Sequence, residues 1–224
     1  MKVLVLIVIV GADMSKQLVF VVGSTDSRLN VMWNSNPDYA LTPSIDKADI
    51  LCFQGGMDMH PSLYNEDPIP GVYFSKDRDR IDLDAWDKAG TRPKVGICRG
   101  GQFLNVMSEG SMWQNVDNHG TSHTMINLLD IPRSFVNSGA EIEVTSDHHQ
   151  MMVPNHHYGE VLGIANVATV FDAPKNVERL APEYDTEVVF YNHTQSLCFQ
   201  PHPEYDMKIM TRTYFFKLME FFFR

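Results

Sequence analysis

The sequence predicts a doubly wound α/β fold in which a mostly parallel β-sheet carries helices on both faces. Short apolar runs of about four to eight residues recur along the chain, and segments with helical spacing separate them. The runs are rich in Val, Ile, Leu and Phe, as expected for strands that are buried on both sides. Sheets built this way bind their ligands at the carboxyl ends of the strands. Functional residues are therefore expected where the apolar runs end.

Seven apolar runs are predicted to be strands. They are residues 3–10, 18–22, 50–53, 94–97, 141–144, 187–191 and 197–200. The first run follows a single lysine and has the outline of a secretory signal. It is much shorter than the roughly 20 residues that a membrane span needs, and Val, Ile and Leu make up all of it. We therefore interpret run 3–10 as a buried strand.

Three segments are predicted to be helices. Segment 79–89 has apolar side chains near helical spacing and is followed by Gly90 and Pro93, which commonly end helices. Segment 102–108 follows one of the predicted strands almost directly. Segment 205–223 repeats Met, Ile and Phe at three- and four-residue steps, which is typical of a helix packed on a sheet.

The composition excludes several classes of partner. The 224 residues include 18 Lys and Arg against 28 Asp and Glu, a net charge of −10, without a basic run that could neutralise a phosphate backbone. We expect neither nucleic acid nor a membrane as a partner. The three cysteines are too few and too scattered for a disulfide framework, which favours a reducing, cytoplasmic location. No repeat or flexible linker divides the sequence, so residues 1–224 are predicted to form one domain.

One predicted strand ends in a motif that is typical of nucleophilic enzymes. Residues 96–101 read GICRGG, a G-x-C-x-G pattern between a buried strand and a helix. This is the thiol form of the nucleophile elbow, in which glycines permit a strained turn that presents the central side chain. The partial positive charge at the helix N-terminus favours a thiolate at Cys98. A buried structural cysteine is the alternative, but the surrounding glycines argue against it.

A second strand end offers a base for this thiol. Residues 200–204 read QPHPE, and the two prolines fix the backbone around His202. Glu204 could hold one imidazole nitrogen so that the other nitrogen faces Cys98, which is the arrangement that acyl transfer requires.

A glycine pair follows the predicted strand 50–53. Gly55 and Gly56 allow the backbone to approach a ligand closely. Together with the N–H group of Arg99, this backbone could bind the oxyanion that develops during acyl transfer. A glycine pair taken alone is also common in ordinary turns, so the assignment depends on the neighbouring motifs.

These motifs together resemble the class I glutamine amidotransferase superfamily, specifically its gamma-glutamyl hydrolase-like branch. The resemblance spans roughly residues 45–206 and is carried by GICRGGQFLNV at 96–106, QPHPE at 200–204, QGGMDMHPSLYNE at 54–66, Arg78-Asp79 and SDHHQ at 146–150. It implies a flavodoxin-like fold with a triad of Cys98, His202 and Glu204. It also implies that the Gly56 and Arg99 amides form the oxyanion hole. Substrate binding is then assigned to five residues: Gly55, Gln102, His148, His149 and Gln150.

The resemblance implies hydrolysis of a γ-glutamyl amide through a γ-glutamyl thioester on Cys98. This chemistry needs no cofactor, and the small-molecule substrate is glutamine or another γ-glutamyl amide. We expect a free-standing hydrolase, and the sequence does not identify the leaving amine. Two alternatives stay open, a glutaminase that supplies ammonia to a separate synthase partner and a non-catalytic binding module on the same fold. A homodimer also stays open.

The remaining histidines raise the question of a metal site. Three pairs are close in sequence: His119 and His123, His148 and His149, and His156 and His157. Adjacent histidines on a strand point to opposite faces, and no cysteine or acidic residue stands at a ligand spacing from these pairs. We therefore predict no metal site.

Overall fold

The computed structural model describes residues 16–23, 26–131, 137–167, 171–172, 185–205 and 209–224. The predicted strand 3–10 lies outside these residues. Within them the chain forms thirteen strands, four α-helices and two short 3₁₀ helices. No helix in these ranges is both long enough and apolar enough to cross a lipid bilayer.

The elements follow one another along the chain with short connections. The strands are β1 (Gln17–Val22), β2 (Tyr39–Leu41), β3 (Ile50–Phe53), β4 (Lys94–Ile97), β5 (Ser111–Trp113), β6 (Asn115–Val116), β7 (His123–Asn127), β8 (Glu141–Val144), β9 (Met151–Val153), β10 (Gly159–Ala165), β11 (Phe171–Asp172), β12 (Thr186–Tyr191) and β13 (Ser196–Phe199). The α-helices are α1 (Ser27–Asn34), α2 (Lys76–Ala89), α3 (Arg99–Met107) and α4 (Ile209–Phe223). The 3₁₀ helices are Ile45–Lys47 and Pro61–Tyr64.

Most strands belong to one large mixed sheet. Its parallel half has the order β2-β1-β3-β4-β13. Beyond β13 the sheet continues with antiparallel pairing through β12, β10, β7 and β8, while β9 pairs with β12 and β5 pairs with β9. β6 and β11 form a separate antiparallel pair. Because β1, β3, β4 and β13 are parallel, their carboxyl ends meet at one edge of the sheet.

Helices cover both faces of the parallel half. Consecutive residues of β3 face opposite cores, since Ile50 packs with side chains of α1 and α4 whereas Leu51 packs with side chains of α2 and α3. In the first core the Trp33 ring of α1 meets the Phe215 ring of α4 edge to face, with ring centroids 5.7 Å apart. The predicted α/β class, with a parallel sheet core between two helix layers, is confirmed.

The predicted elements are present, with shifts at some of their ends. All six predicted strands within the described residues form, each within one residue of its predicted limits. The helix predicted at 79–89 begins earlier because Ser75 caps α2 by accepting a hydrogen bond from the Arg78 N–H at 3.4 Å. The helix predicted at 102–108 also begins earlier, directly after Cys98. α1 and seven strands, among them β7 and β10, are not predicted by the sequence analysis.

Candidate active site

Cys98 follows β4 directly and lies at the edge of the sheet where the parallel strands have their carboxyl ends. Cys98 lies between β4 and α3 with φ +49° and ψ −116°, and such a conformation costs a residue other than glycine about 1–3 kcal/mol. Two backbone hydrogen bonds hold it. Its N–H donates to the Phe199 carbonyl at 2.8 Å, and its carbonyl accepts from the Gln102 N–H at 3.0 Å. The strained turn therefore fixes the thiol at the N-terminus of α3.

A glycine at the second position of α3 brings this helix close to β3. A Cβ atom on Gly100 would overlap the carbonyl oxygen of Phe53, the last residue of β3. Because Gly100 has no side chain, α3 can begin directly against the end of β3. Cys98 consequently lies next to the loop that leaves β3.

His202 lies after β13, close to the Cys98 turn. Its Nδ1 is 2.7 Å from Oε1 of Glu204, and both side chains are buried. Gly55 lies beside both reactive groups, since a Cβ placed on it would lie 3.5 Å from Cε1 of His202 and 3.6 Å from Cβ of Cys98. Burial by itself lowers the pKa of His202, but Cys98 and Glu204 outweigh that effect and raise the pKa to about 11. The contacts with Cys98 and Glu204 therefore favour the protonated imidazole.

Two arginine side chains hold the loop that leaves β3. Arg78 of α2 donates to the carbonyls of the two residues before Gly56, at 2.9 and 3.4 Å. Arg99 of α3 donates to the carbonyl of the residue after Gly56, at 3.1 Å. Gly56 itself has φ +144°, which favours glycine. The backbone is thus fixed on both sides of the predicted oxyanion position.

The same two arginines form ion pairs with acidic residues of α2, and those of Arg99 join α3 to α2. Arg99 is buried and pairs with Asp79 at 2.5 Å and with Asp82. Arg78 also pairs with Asp82, at 3.1 Å. Removing one partner from a buried pair leaves an uncompensated charge and costs about 3–5 kcal/mol. The sequence predicts a role only for the backbone amide of Arg99, and the structure adds this contribution from its side chain.

Two cavities meet at Cys98. The larger cavity has a volume of about 250 Å³. Its lining includes Gly55, Asp26, Arg28, His202, Glu204 and Tyr205. The smaller, of about 190 Å³, contains Arg99, Gln102, His148, His149 and Gln150. Three residues line both cavities: Gly56, Cys98 and Asp147. The fold therefore brings every residue of the predicted triad, oxyanion site and substrate-binding set to one place.

The wall of the larger cavity contains residues that the sequence analysis does not identify. Asp26 pairs with Arg28 at 2.5 Å, and the hydrogen bonds from Arg28 lower the pKa of Asp26. The Arg28 guanidinium lies 4.6 Å from the centre of the Tyr205 ring, and that ring stacks on His202 at 4.5 Å. Tyr205 was predicted to belong to the last helix, but it precedes α4. Asp26 and Arg28 could have been identified from their place in the sequence, because both residues follow the carboxyl end of β1.

In the SDHHQ motif the two adjacent histidines turn in opposite directions. His148 is buried, whereas the His149 side chain is 44% exposed and lies 3.0 Å from Asp58. The hydrogen bond to Asp58 raises the pKa of His149. The Gln102 side chain donates to the Gln150 carbonyl at 3.2 Å, which ties α3 to the loop that bears the motif. These residues form one wall of the smaller cavity.

Three of the remaining histidines also come together. His119, His123 and His148 surround the carboxylate of Glu187, which lies on β12. Glu187 is 64 residues beyond His123 in sequence, so no ligand spacing could reveal it. Among the residues that the structure describes, His119, His123 and Glu187 lie close enough together to hold a metal ion.

The layered sheet and the cysteine turn are those of the class I glutamine amidotransferase superfamily. Residues 14–189 match the peptidase C26 family, and the chain belongs to it. This family contains hydrolases and amidotransferases that act on glutamine-like C–N bonds.

Two relatives show how far the sequence similarity extends. The chain is 28% identical over 178 residues to a candidate glutamine amidotransferase of Mycobacterium tuberculosis, a match that covers 71% of this chain and 52% of that protein. It is 39% identical over 85 residues to a candidate glutamine amidotransferase of Schizosaccharomyces pombe, covering 36% of this chain and 32% of that protein. The matches thus span about half of the first relative and a third of the second.

Solved structures share the fold at low sequence identity. A glutamine amidotransferase from Thermotoga maritima superposes with a TM-score of 0.59 at 12% identity, covering 91% of this chain and 84% of that one. A candidate GMP synthase subunit from Thermoplasma acidophilum superposes with a TM-score of 0.58 at 16% identity, covering 92% and 94%. At these identities the superpositions establish the fold alone.

Proposed function

We propose that the protein hydrolyses a γ-glutamyl amide by covalent catalysis on Cys98. The observation that carries the proposal is the position of this thiol, on a strained turn where two cavities meet. One cavity contains the His202 and Glu204 pair, and the other contains the residues predicted to bind the glutamyl group. Substrate placed across the thiol would have its acyl part in the smaller cavity and its amine part in the larger one.

In the first half of the reaction, the Cys98 thiolate attacks the γ-carbonyl carbon and a C–S bond forms. The N–H groups of Gly56 and Arg99 stabilise the negative charge that develops on the carbonyl oxygen. The C–N bond then breaks, and the protonated His202 gives its proton to the leaving nitrogen. Glu204 holds the ring through Nδ1, so the other nitrogen performs the transfer.

In the second half, water hydrolyses the γ-glutamyl thioester. His202, now neutral, takes a proton from the water as the oxygen attacks the thioester carbon. The C–S bond breaks, which regenerates the thiolate and the imidazolium and releases the glutamyl carboxylic acid, whose proton then passes to solvent. The amine released in the first half takes up a proton from solvent in turn, and no cofactor takes part in these steps.

The size of the larger cavity favours a leaving group bigger than ammonia. Ammonia occupies about the volume of a water molecule, whose share of the liquid is about 30 Å³. The cavity on the His202 side measures about 250 Å³. We therefore infer that the protein acts as a hydrolase of γ-glutamyl amines. A glutaminase that serves a separate synthase is the second candidate, since the fold is shared with a structure named as part of a GMP synthase.

The test is release of glutamate by the purified protein alone, from glutamine and from γ-glutamyl amides of increasing amine size. We expect kcat/KM to be higher for some larger γ-glutamyl amine than for glutamine, with a Cys98→Ala variant as the inactive control. Turnover of glutamine alone, and only after another protein from the same source is added, would establish the glutaminase function instead. If no substrate is turned over and mass spectrometry detects no thioester adduct, the protein is a non-catalytic binding module on this fold.

A further inference from the structure

The histidine cluster on the antiparallel half of the sheet is built around one carboxylate oxygen. Oε1 of Glu187 lies 3.1 Å from Nδ1 of His119, 3.2 Å from Nε2 of His123 and 3.4 Å from Nε2 of His148. Glu187 and His119 have no exposed surface, and His123 and His148 are at least nine-tenths buried. Three histidine rings therefore direct one nitrogen each toward the same buried carboxylate oxygen.

In each of the three histidine rings, the outer nitrogen, the one that points away from Glu187, faces a carbonyl or a carboxylate oxygen. Nδ1 of His123 lies 3.2 Å from the Thr121 carbonyl, and Nδ1 of His148 lies 2.8 Å from the Gln150 carbonyl. A carbonyl only accepts, so Nδ1 carries the proton in each neutral ring and Nε2 presents its lone pair. For His119 the outer nitrogen is Nε2, which faces the Asp185 carboxylate at 3.5 Å. Metal-binding histidines characteristically hold their outer nitrogen in this manner.

Without a cation, two buried polar atoms of this cluster are left without a partner. Nε2 of His148 and Oε2 of Glu187 are buried and have no hydrogen-bond partner. A buried polar atom without a partner costs about 1–3 kcal/mol. Lone pairs on imidazole nitrogens and on a carboxylate oxygen are the donor set that divalent zinc takes in proteins.

We propose that His119, His123, His148 and Glu187 form a binding site for one Zn²⁺ ion. The contacts have the right scale, because Zn–N and Zn–O bonds of about 2.0–2.2 Å place tetrahedral ligand atoms about 3.3–3.5 Å apart. The three distances to Glu187 Oε1 lie within a few tenths of an ångström of that range. The ligand atoms of His119, His123 and Glu187 lie within 4.8 Å of one another, and His148 completes a tetrahedral shell if its ring moves toward them. With four protein ligands the ion is structural and takes no part in the chemistry at Cys98.

The site would tie the wall of the smaller cavity to the sheet. His148 belongs to the loop that lines this cavity, whereas Glu187 is on β12. The Ser146 hydroxyl, in the same loop, donates to the His119 carbonyl at 2.6 Å, so the loop and the histidine cluster are already joined. A metal ion would fix the position of both the loop and its neighbouring strand.

The test begins with the complete chain, expressed without a polyhistidine tag, stripped with a chelator and titrated with ZnCl₂ by calorimetry. We expect one ion per chain, and the Co²⁺ form should show the visible absorption bands of four-coordinate cobalt. Both results should persist in a Cys98→Ala variant, which excludes binding by the catalytic thiol. Lack of saturable one-to-one binding, or loss of binding in Cys98→Ala, would overturn the proposal.

Two histidine variants locate the ion. His123→Ala should weaken Zn²⁺ binding by at least about 100-fold. The matched control is His156→Ala, because His156 is exposed and lies outside the cluster. Equal Zn²⁺ affinity in His123→Ala and the control would place the ion elsewhere and refute the site. If His123→Ala does not fold, the cobalt spectrum of the Cys98→Ala protein decides, since it distinguishes four nitrogen and oxygen ligands from a thiolate-bound ion.

Discussion

At the scale of single residues, Cys98 differs from the other two cysteines in its access to the cavities. Cys52 and Cys198 are wholly buried, and burial raises the pKa of Cys52 to about 12 and that of Cys198 well above its usual value. Cys98 lines both cavities. We expect iodoacetamide to modify Cys98 first, as read by peptide mass mapping. Modification of Cys52 or Cys198 while Cys98 stays unlabelled would remove Cys98 as the nucleophile.

The pKa of His202 provides a second prediction at this scale. The neighbouring Cys98 and Glu204 raise it to about 11, so the ring should stay protonated well above its ordinary value of about 6.5. In Cys98→Ala the contact with Cys98 that raises this pKa is lost while burial remains, and the pKa should fall. NMR titration of the His202 ring protons in both proteins measures this difference. Identical titration curves would show that Cys98 carries no charge that His202 senses.

At the scale of elements, α2 positions the loop that leaves β3. Arg78 bonds two carbonyls on one side of Gly56, so Arg78→Ala should free that loop and displace the Gly56 amide. Loss of one oxyanion donor costs about 10²–10³ in kcat, and we expect a decrease of about 10- to 100-fold for this indirect effect. Arg80→Ala is the matched control, because Arg80 is on the same helix and forms only an exposed pair with Asp77. Equal kcat values in the two variants would contradict the positioning role.

The junction of β3 and α3 should be intolerant of a single methyl group. Gly100→Ala would drive a Cβ into the Phe53 carbonyl, and overpacking of this kind costs about 1–3 kcal/mol or more. Gly120→Ala is the control, since a Cβ on Gly120 would meet nothing within 4 Å. Urea unfolding of the two variants measures the difference. A Gly100→Ala protein as stable as the control would mean that α3 can move away from β3 at little cost.

At the scale of the whole molecule, the parts that were predictable are those encoded by contiguous residues. The turn around Cys98 and the QPHPE segment each require glycines or prolines at fixed offsets, so they are visible in the sequence. Several strands of the antiparallel half were not predicted, and β7 shows why. In β7 the buried positions are His123, Met125 and Asn127, two of them polar, so alternation of apolar and polar residues does not mark the strand.

Contacts between residues that are far apart in the sequence also could not be predicted. Asn127 is buried because it accepts a hydrogen bond from the Tyr214 hydroxyl at 2.8 Å, 87 residues away. The contact of Glu187 with three histidines likewise exists only after β12 has paired within the sheet. For the same reason Asp26 and Arg28, which line the larger cavity, could be placed only once β1 had its neighbours. The triad, oxyanion and substrate-binding roles remain predictions that the geometry supports.

The meeting of two cavities at one thiol has a kinetic consequence for the proposed reaction. The amine can depart from the larger cavity while the glutamyl group stays attached in the smaller one, so the products leave separately and in a fixed order. The vacated space of about 250 Å³ admits water, and it also has room for a second amine. The same thioester could then pass its acyl group to that amine. With a second amine at high concentration, chromatography should detect a γ-glutamyl transfer product, whereas glutamate alone would show that only water reaches the intermediate.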